Sequence, residues 1–313
     1  MNGQRRREKG VAGAALGGLA VVALWLVAPA SALLTAESVR TTRAYETTPA
    51  AAGEYVAWAQ APYAERGRYV VFVKQGTAPR VRVNPVGVAF VGGFDLPSHR
   101  LVYQQIYRGQ SNLKFFDLNT RNITNPPIGV NTGQWECCAS LSGNRLLFNR
   151  ESLSTPTRRV MLRELTGGET QLAVVRRDKY FVSADQLNGD FAVWTKCTER
   201  CNVFRRDLAT MITRVMPKPE TKPAKDQFGS SVASDGTVYF VRSGPGCGTG
   251  VRIVRFGTGD GPYGRVVARL RAGRDVLSTY LAEKPGGSVE VFYDRIICRT
   301  KQTDIFKITD PAP

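Results

Sequence analysis

A short pattern of a polar turn followed by an apolar run that ends on an aromatic residue recurs six times along the chain. In residues 141–150 (LSGNRLLFNR) the turn contains Gly143 and the run ends at Phe148. The aromatic residues that end the six copies are Trp58, Tyr103, Phe148, Trp194, Phe240 and Phe292, at intervals of 45, 45, 46, 46 and 52 residues. A repeat of this period is typical of a propeller or a solenoid. The pattern therefore predicts six structural modules.

Each copy contains several short runs typical of β-strands. In the second copy, residues 99–106 and 112–119 are rich in β-branched and aromatic residues and flank a polar, glycine-containing turn, which predicts a hairpin. Similar pairs recur, a further run precedes each turn, and another follows most hairpins. No helical periodicity longer than two turns occurs after residue 32. The sequence thus predicts an all-β fold, a six-bladed β-propeller of four-stranded antiparallel blades.

The last copy lacks a strand. It ends after Ile308 and Thr309, two strands beyond its turn, whereas residues 38–48 (SVRTTRAYETT) are compatible with a strand and have no other evident partner. An unpaired sheet edge is a liability that folded proteins avoid. We therefore expect this N-terminal segment to close the ring by completing the sixth blade.

The turn at residues 234–240 (SDGTVYF) resembles the repeat of the TolB-like six-bladed β-propellers, which carry Ser-x-Asp-Gly followed by an apolar run and an aromatic residue. Residues 141–144 and 187–190 are looser copies of the motif, and the resemblance extends over residues 38–310. The α/β domain that precedes the propeller in the TolB proteins has no counterpart in this sequence. The resemblance implies an exported, non-catalytic binding scaffold, without identifying its partner.

The first 32 residues differ in composition from the rest. Basic residues at positions 5, 6, 7 and 9 precede a stretch without charged residues from position 11 to 36, which contains Ala30-Ser31-Ala32. This is the pattern of a signal peptide, so we interpret 1–32 as a signal peptide and 33–313 as a single propeller domain. An uncleaved membrane anchor is the alternative, because the stretch is long enough to span a bilayer. Both interpretations predict a secreted or cell-envelope protein.

The chain is strongly basic, with a formal net charge of +17 at pH 7. An exported basic domain is suited to an anionic envelope polymer or an acidic protein as partner, whereas nucleic acid is not expected there. The basic residues are spread over all six copies, so a soluble, solvated surface is the simpler explanation. We expect a monomer.

Six cysteines in an exported protein predict disulfides. Cys197 and Cys201 flank three residues at a hairpin tip, close enough to bond. Cys247 and Cys298 occupy equivalent connections of the fifth and sixth copies, where a bond would join neighbouring blades.

The remaining pair, Cys137 and Cys138, is adjacent in the sequence. A vicinal disulfide near the propeller axis and two free, buried thiols are both compatible with this pair.

Positions five and six residues before each turn are mostly small, as expected where the innermost strands crowd around an axis. The pairs are Gly92-Gly93, Cys137-Cys138, Ser183-Ala184, Ser230-Ser231 and Leu281-Ala282. The candidate channel-lining residues with polar side chains are Glu136, Ser183, Asp185, Ser230 and Ser231.

Catalysis is weakly indicated. The single histidine, His99, excludes a site built on several histidines, and we predict no metal and no cofactor. Glu136 and Asp185 lie where propeller hydrolases and lyases place carboxylates, so a lactonase- or glycosidase-like enzyme is the alternative function. The function that we predict is a non-catalytic module that binds a protein or another ligand at one mouth of the channel in the cell envelope.

Overall fold

The computed structural model describes residues 33–62, 65, 67–220 and 225–311. The predicted signal peptide or anchor, residues 1–32, lies outside the described residues. The described residues form one compact unit. Within the described ranges, no helix has the length and apolar character needed to cross a membrane.

The described residues form twenty-four strands in six antiparallel sheets of four, which we number as blades 1 to 6. The chain begins with β1 (Ala36–Arg40). Blade 1 contains β2 (Tyr45–Ala52), β3 (Tyr55–Ala61), β4 (Val70–Gln75) and β5 (Val81–Arg82). Blade 2 contains β6 (Val88–Asp95), β7 (Arg100–Tyr107), β8 (Gln110–Asp117) and β9 (Ile123–Thr124). Blade 3 contains β10 (Trp135–Ser142), β11 (Arg145–Glu151), β12 (Thr157–Glu164) and β13 (Glu169–Arg176).

Blade 4 contains β14 (Phe181–Asn188), β15 (Phe191–Cys197), β16 (Cys201–Asp207) and β17 (Thr213–Val215). Blade 5 contains β18 (Asp226–Val232), β19 (Val238–Ser243), β20 (Arg252–Phe256) and β21 (Arg265–Arg269). Blade 6 contains β22 (Arg274–Glu283), β23 (Val289–Ile297) and β24 (Thr303–Asp310), with β1 as its fourth strand. The predicted six-bladed, all-β propeller is confirmed.

The ring closes through the N-terminal strand. The first strands of successive blades contact one another in a closed circuit, from β2 through β6, β10, β14, β18 and β22 back to β2. At the outer edge, β1 pairs antiparallel with β24, with Ala36 opposite Ile308. The closing strand is shorter than the predicted 38–48 segment, because residues from Tyr45 onward already belong to the innermost strand of blade 1. The outer edge of blade 6 is thereby paired.

The repeated aromatic residues are buried where neighbouring blades pack. Phe148 of blade 3 lies in an apolar cluster with Val102 and Phe115 of blade 2, and Trp194 of blade 4 packs with Leu147 and Val160 of blade 3. Burying one such side chain contributes about 2–3 kcal/mol. The aromatic residue of each copy therefore holds the blades together.

Alternating antiparallel strands give the ring two unlike faces. The face that we call the turn face carries the turns between the first and second strands of each blade, including Gly143 and Gly189. The opposite face, the loop face, carries the connections between second and third strands and those between blades. Both disulfides of the structure, Cys197–Cys201 and Cys247–Cys298, lie in loop-face connections.

Every innermost strand contains a β-bulge near its middle. Pairing with the second strand shifts register between Thr47 and Ala50, Val91 and Phe94, Cys137 and Ser140, Ala184 and Gln186, Phe228 and Ser231, and Val276 and Thr279. A bulge leaves extra residues unpaired and re-aims side chains, and bulges are frequent next to functional sites. Six bulges at one level surround the axis of this ring.

Candidate functional site: an axial cavity at the level of the bulges

A cavity of about 270 Å³ lies on the axis and receives residues from all six blades. Its lining residues are Thr48, Pro49, Phe90, Val91, Gly92, Gln104, Cys138, Ala139, Ser183, Ala184, Asp185, Gly229, Ser230, Ser278, Thr279 and Tyr280. Most of them are bulge residues or their immediate neighbours, because the bulges turn these positions toward the axis. The cavity combines apolar walls with several hydroxyl groups, one carboxyl group and one thiol, a composition suited to a small ligand or a projecting side chain.

Tyr280 separates this cavity from the turn face. It lines both the axial cavity and a second depression of about 460 Å³ formed at the turn-face ends of the inner strands. Its hydroxyl oxygen accepts a hydrogen bond from the backbone N–H of Phe94 at 3.1 Å, and burial raises its pKa to about 12. A Cβ atom on Gly93 would lie 2.7 Å from that hydroxyl oxygen. Glycine at position 93 is therefore required for Tyr280 to reach across the axis.

Asp185 is the carboxylate of the cavity wall. The hydroxyl groups of Thr195 and Ser230 donate to its Oδ2 at 2.6 and 2.5 Å, and the backbone N–H of Ser230 donates at 3.0 Å. Burial raises its pKa to about 6, although the three donors favour the ionised form. The carboxyl group lies between blades 4 and 5 and changes its protonation at mildly acidic pH.

Cys137 and Cys138 are thiols in the structure, with their Sγ atoms 2.8 Å apart. Cys137 is buried, whereas Cys138 is exposed and lines the cavity, with a positive φ of 55° in the bulge of β10. The hydrogen bond between the two sulfurs lowers the pKa of Cys138 and raises that of Cys137. The negative charge is therefore favoured on the sulfur that faces the cavity.

The structure places three of the five predicted channel-lining residues, Ser183, Asp185 and Ser230, on the axial cavity. Glu136 lies elsewhere: it is fully buried, 3.2 Å from the guanidinium of Arg150, and accepts a hydrogen bond from the Thr132 hydroxyl.

Ser231 is also turned away from the cavity and hydrogen-bonds Thr279 at 3.1 Å. In blade 6 the predicted pair Leu281-Ala282 lies at the turn-face depression, because β22 has ten residues and its bulge falls at Leu277 and Ser278 instead. The single histidine, His99, is exposed in a turn.

Sequence reasoning missed the polar residues of the second strands that support the bulges. Asn149 accepts from the N–H of Ala184 and donates to the carbonyl of Val182 in the next blade. Asp294 accepts from the N–H groups of Leu277 and Ser278 in its own blade.

Across the ring closure, Asp294 also accepts from the hydroxyl and the N–H of two residues in blade 1, Thr47 and Thr48. Burial raises the pKa of Asp294. A sequence signal exists, since Gln104, Asn149 and Thr195 each directly follow an apolar run that ends on the repeated aromatic residue.

Exposed charges differ between the two faces. Every blade contributes an exposed basic residue to the loop face or its rim, including Arg68, Arg108, Arg177, Arg200, Arg271 and Arg299, against fewer acidic ones. On the turn face, the turns between first and second strands expose the acidic residues Glu54, Asp190, Asp235 and Glu283, and the exposed basic residues Lys74, Arg100 and Arg121 lie toward the same face, so its charge is mixed. The loop face is therefore the more basic side of the ring. A ligand on this side reaches the axial cavity without passing Tyr280.

Metal-ligating and acidic side chains are sparse around the axial cavity. Across the described ranges there is no group of three or more His, Cys, Asp or Glu residues that could hold a metal ion. Asp185 is the one carboxylate among the cavity-lining residues, whereas glycoside hydrolysis needs a pair about 5–10 Å apart.

No protein-family model matches the chain, and no curated protein matches it. Several solved structures share its fold. A putative TolB from Agrobacterium tumefaciens has 9% identity and a TM-score of 0.57, covering 87% of this chain and 92% of its own. TolB from Acinetobacter baumannii has 12% identity and a TM-score of 0.51, covering 78% of this chain, which spans 60% of that protein.

A protein of unknown function from Dyadobacter fermentans has 12% identity and a TM-score of 0.54, covering 88% of this chain and 98% of its own. At these identities the likeness concerns the fold alone. The chain is thus a six-bladed β-propeller similar in fold to the TolB proteins, as the repeat at residues 234–240 predicts.

Proposed function

We propose that this protein is an extracytoplasmic binding module that holds its ligand at the loop face, where a projecting group of that ligand enters the axial cavity. The observation that carries the proposal is the cavity itself, which is built from all six bulged inner strands and closed toward the turn face by Tyr280. Ligand sites in propellers and barrels collect at such mouths.

The placement outside the cytoplasm rests on the disulfides. Cys197–Cys201 and Cys247–Cys298 are bonded in the structure, and disulfides of this kind persist in oxidising compartments. In residues 1–32, basic residues are followed by an apolar stretch without charged residues, a pattern that is consistent with export.

The ligand that we propose is acidic: a protein with an acidic surface or an anionic envelope polymer. Exposed arginines surround the loop face, and a positive field of this kind raises the association rate of anionic partners. The alternative of a lactonase- or glycosidase-like enzyme receives less support, because Asp185 has no second carboxylate beside it in the cavity.

Two double variants of equal charge test the proposal. Arg108→Glu with Arg299→Glu changes the loop face, and Lys74→Glu with Arg121→Glu changes exposed residues that lie toward the turn face. Each variant and the wild type are immobilised and exposed to the envelope fraction of the source organism over a series of salt concentrations. The loop-face variant is expected to lose retained material at lower salt than the wild type, and the turn-face variant is expected to behave like the wild type. Equal losses in both variants, or none in either, would contradict a loop-face site.

A further inference from the structure

The binding function proposed above does not require the adjacent thiols of blade 3. We propose that Cys137 and Cys138 form a redox-active pair, in which Cys138 exchanges with a disulfide-containing small molecule that enters the axial cavity and Cys137 resolves the mixed disulfide. This role goes beyond the binding function proposed above and does not depend on it.

The geometry assigns the two cysteines different tasks. Cys138 is exposed on the cavity wall, so a disulfide in the cavity can meet its sulfur directly. Cys137 is buried, and its Sγ atom lies 2.8 Å from that of Cys138. A sulfur in that position can reach only a partner already attached to Cys138. Cys138 is therefore the attacking thiol and Cys137 the resolving one.

The surroundings support the same assignment. The thiol of Cys137 and the hydroxyl of Ser183 hydrogen-bond the sulfur of Cys138, and the guanidinium of Arg158 acts on it through its charge, so all three lower its pKa. The partial desolvation of the cavity wall and the carboxylate of Asp185 oppose them. Accessible thiols with a lowered pKa next to a second cysteine are the ones that exchange and oxidise reversibly.

The reaction balances without a further reagent. The thiolate of Cys138 attacks a disulfide RS–SR, forming Cys138–S–S–R and releasing RS⁻. The first RS⁻ takes the proton of Cys137 and leaves as RSH, and the Cys137 thiolate then attacks the Cys138 sulfur and releases the second RS⁻, which takes a proton from water. The substrate is reduced to two thiols, and the pair is oxidised to a vicinal disulfide. The reverse sequence, with two thiols as reductant, restores the pair.

The position in a bulge suits a bond that forms and breaks. A vicinal disulfide closes a small ring around the peptide bond between its two residues, so it is strained and readily reduced. Strand pairing is interrupted between Cys137 and Ser140, and Cys138 has a positive φ, so the ladder does not hold this peptide in a regular conformation. The sulfurs need to approach by roughly 0.8 Å to bond.

The test measures whether glutathione becomes attached to Cys137 or Cys138. The wild-type protein and the variants Cys137→Ala and Cys138→Ala are reduced mildly, freed of reductant, and mixed with oxidised glutathione, and the masses of the intact protein and of its peptides are measured. The wild type is expected to lose two hydrogen atoms at this pair and to keep no glutathione. Cys137→Ala is expected to retain one glutathione on Cys138. Cys138→Ala is expected to react with glutathione more slowly than the wild type, by a factor of roughly ten or more, because only the buried thiol remains.

A second measurement uses the wild type alone and does not depend on the folding of a variant. Phenylarsine oxide, which bridges two neighbouring thiols, is expected to bind the mildly reduced protein at one equivalent per chain and to prevent reaction with glutathione. Persistence of the disulfides Cys197–Cys201 and Cys247–Cys298 in the peptide map shows that the bound equivalent lies on Cys137 and Cys138. Absence of arsenical binding, or equal reaction rates of the two alanine variants, would overturn the proposal.

Discussion

The two faces of the ring are built from the same repeated module but are stabilised in different ways. On the turn face, short turns hydrogen-bond from blade to blade: Asp95 accepts from the N–H of Gly143 at 2.8 Å, and Ser142 accepts from the N–H of Gly189 at 3.0 Å. On the loop face, connections are longer, two of them are joined by the Cys247–Cys298 disulfide, and exposed arginines surround the mouth.

This difference shows how a sixfold repeat separates stability from binding. A tight turn presents few side chains and can be tied to the next turn through backbone groups, whereas a connection of variable length can vary without disturbing the strands that it joins. Between the two faces, the bulged level of the inner strands is supported by buried polar residues of the second strands, such as Asn149 and Asp294. We therefore expect removal of these supporting side chains to lower the free energy of unfolding most. Substitutions on the loop face should lower it less, and those on the turn face least.

The largest effect is expected for Asp294→Ala. Asp294 is fully buried and accepts four hydrogen bonds, two within blade 6 and two from blade 1, so its removal leaves several buried donors without a partner. We expect the free energy of unfolding to fall by about 3–5 kcal/mol, measured by urea denaturation. The turn-face control, Glu283→Ala, removes an exposed acceptor of Ser234 and should cost about 1 kcal/mol or less. Similar losses for the two variants would remove the distinction between the buried level and the turn face.

The next effect concerns the covalent bonds of the loop face. Replacing Cys247 and Cys298 together by alanine opens a cross-link between residues 51 positions apart, and we expect a loss of about 2–4 kcal/mol. The matched double variant at Cys197 and Cys201 opens a bond between residues only four positions apart and should lose about 2 kcal/mol or less, since chain entropy rises with loop length. Denaturation of both variants beside the wild type checks the order. A larger loss for the short bond would show that chain entropy does not control the stability of this face.

The local part of the fold could be predicted from sequence, because each hairpin is encoded within its own copy. The predicted runs 99–106 and 112–119 correspond to β7 and β8, with ends shifted by one residue for β7 and by two residues for β8. The closing strand could also be predicted, because the missing strand of blade 6 and the unpaired N-terminal segment fit no other arrangement. These are questions of periodicity and of pairing, which a sequence shows directly.

The axial positions were harder to predict, because strand alternation does not survive a bulge. An uninterrupted strand would place Glu136 and Cys138 on the same side, yet the bulge after Cys137 sends Glu136 to Arg150 and Cys138 to the cavity. The charge asymmetry was missed for a different reason. Arginines spaced evenly along the chain indicate a diffuse charge, but a repeat that returns to the same face once per blade, as at Arg108 and Arg299, concentrates them there.

A smaller effect, with a pH signature, is expected for Asp185→Asn. The pKa of Asp185 is raised from 3.8 to about 6, so the folded protein holds this proton more tightly than the unfolded chain does. The protonated carboxyl group of Asp185 therefore stabilises the folded state. This contribution is fully present below pH 4 and is lost as the pH rises through 6. At pH 7 the asparagine variant should therefore be more stable than the wild type by on the order of 1–2 kcal/mol, allowing for water in the cavity.

The measurement is urea unfolding of both proteins at several values between pH 4 and pH 7. The advantage of the Asp185→Asn variant should grow with pH, whereas Glu54→Gln, which removes an exposed carboxylate from the turn face, should follow the wild type throughout. Parallel curves for Asp185→Asn and the wild type would show that the carboxyl group is solvated and that the cavity wall is not buried.

The smallest effect is expected for Tyr280→Phe, at the boundary between the two faces. The variant keeps the ring across the axis and loses only the hydroxyl that accepts from the N–H of Phe94, so a loss of about 1 kcal/mol is expected in urea denaturation. Phenylalanine still fills the space between the axial cavity and the turn-face depression, so binding at the loop face should not change in the capture experiment. If this variant alters binding as strongly as the loop-face charge reversals do, the turn face takes part in recognition, because a ligand would then have to reach Tyr280 or pass it.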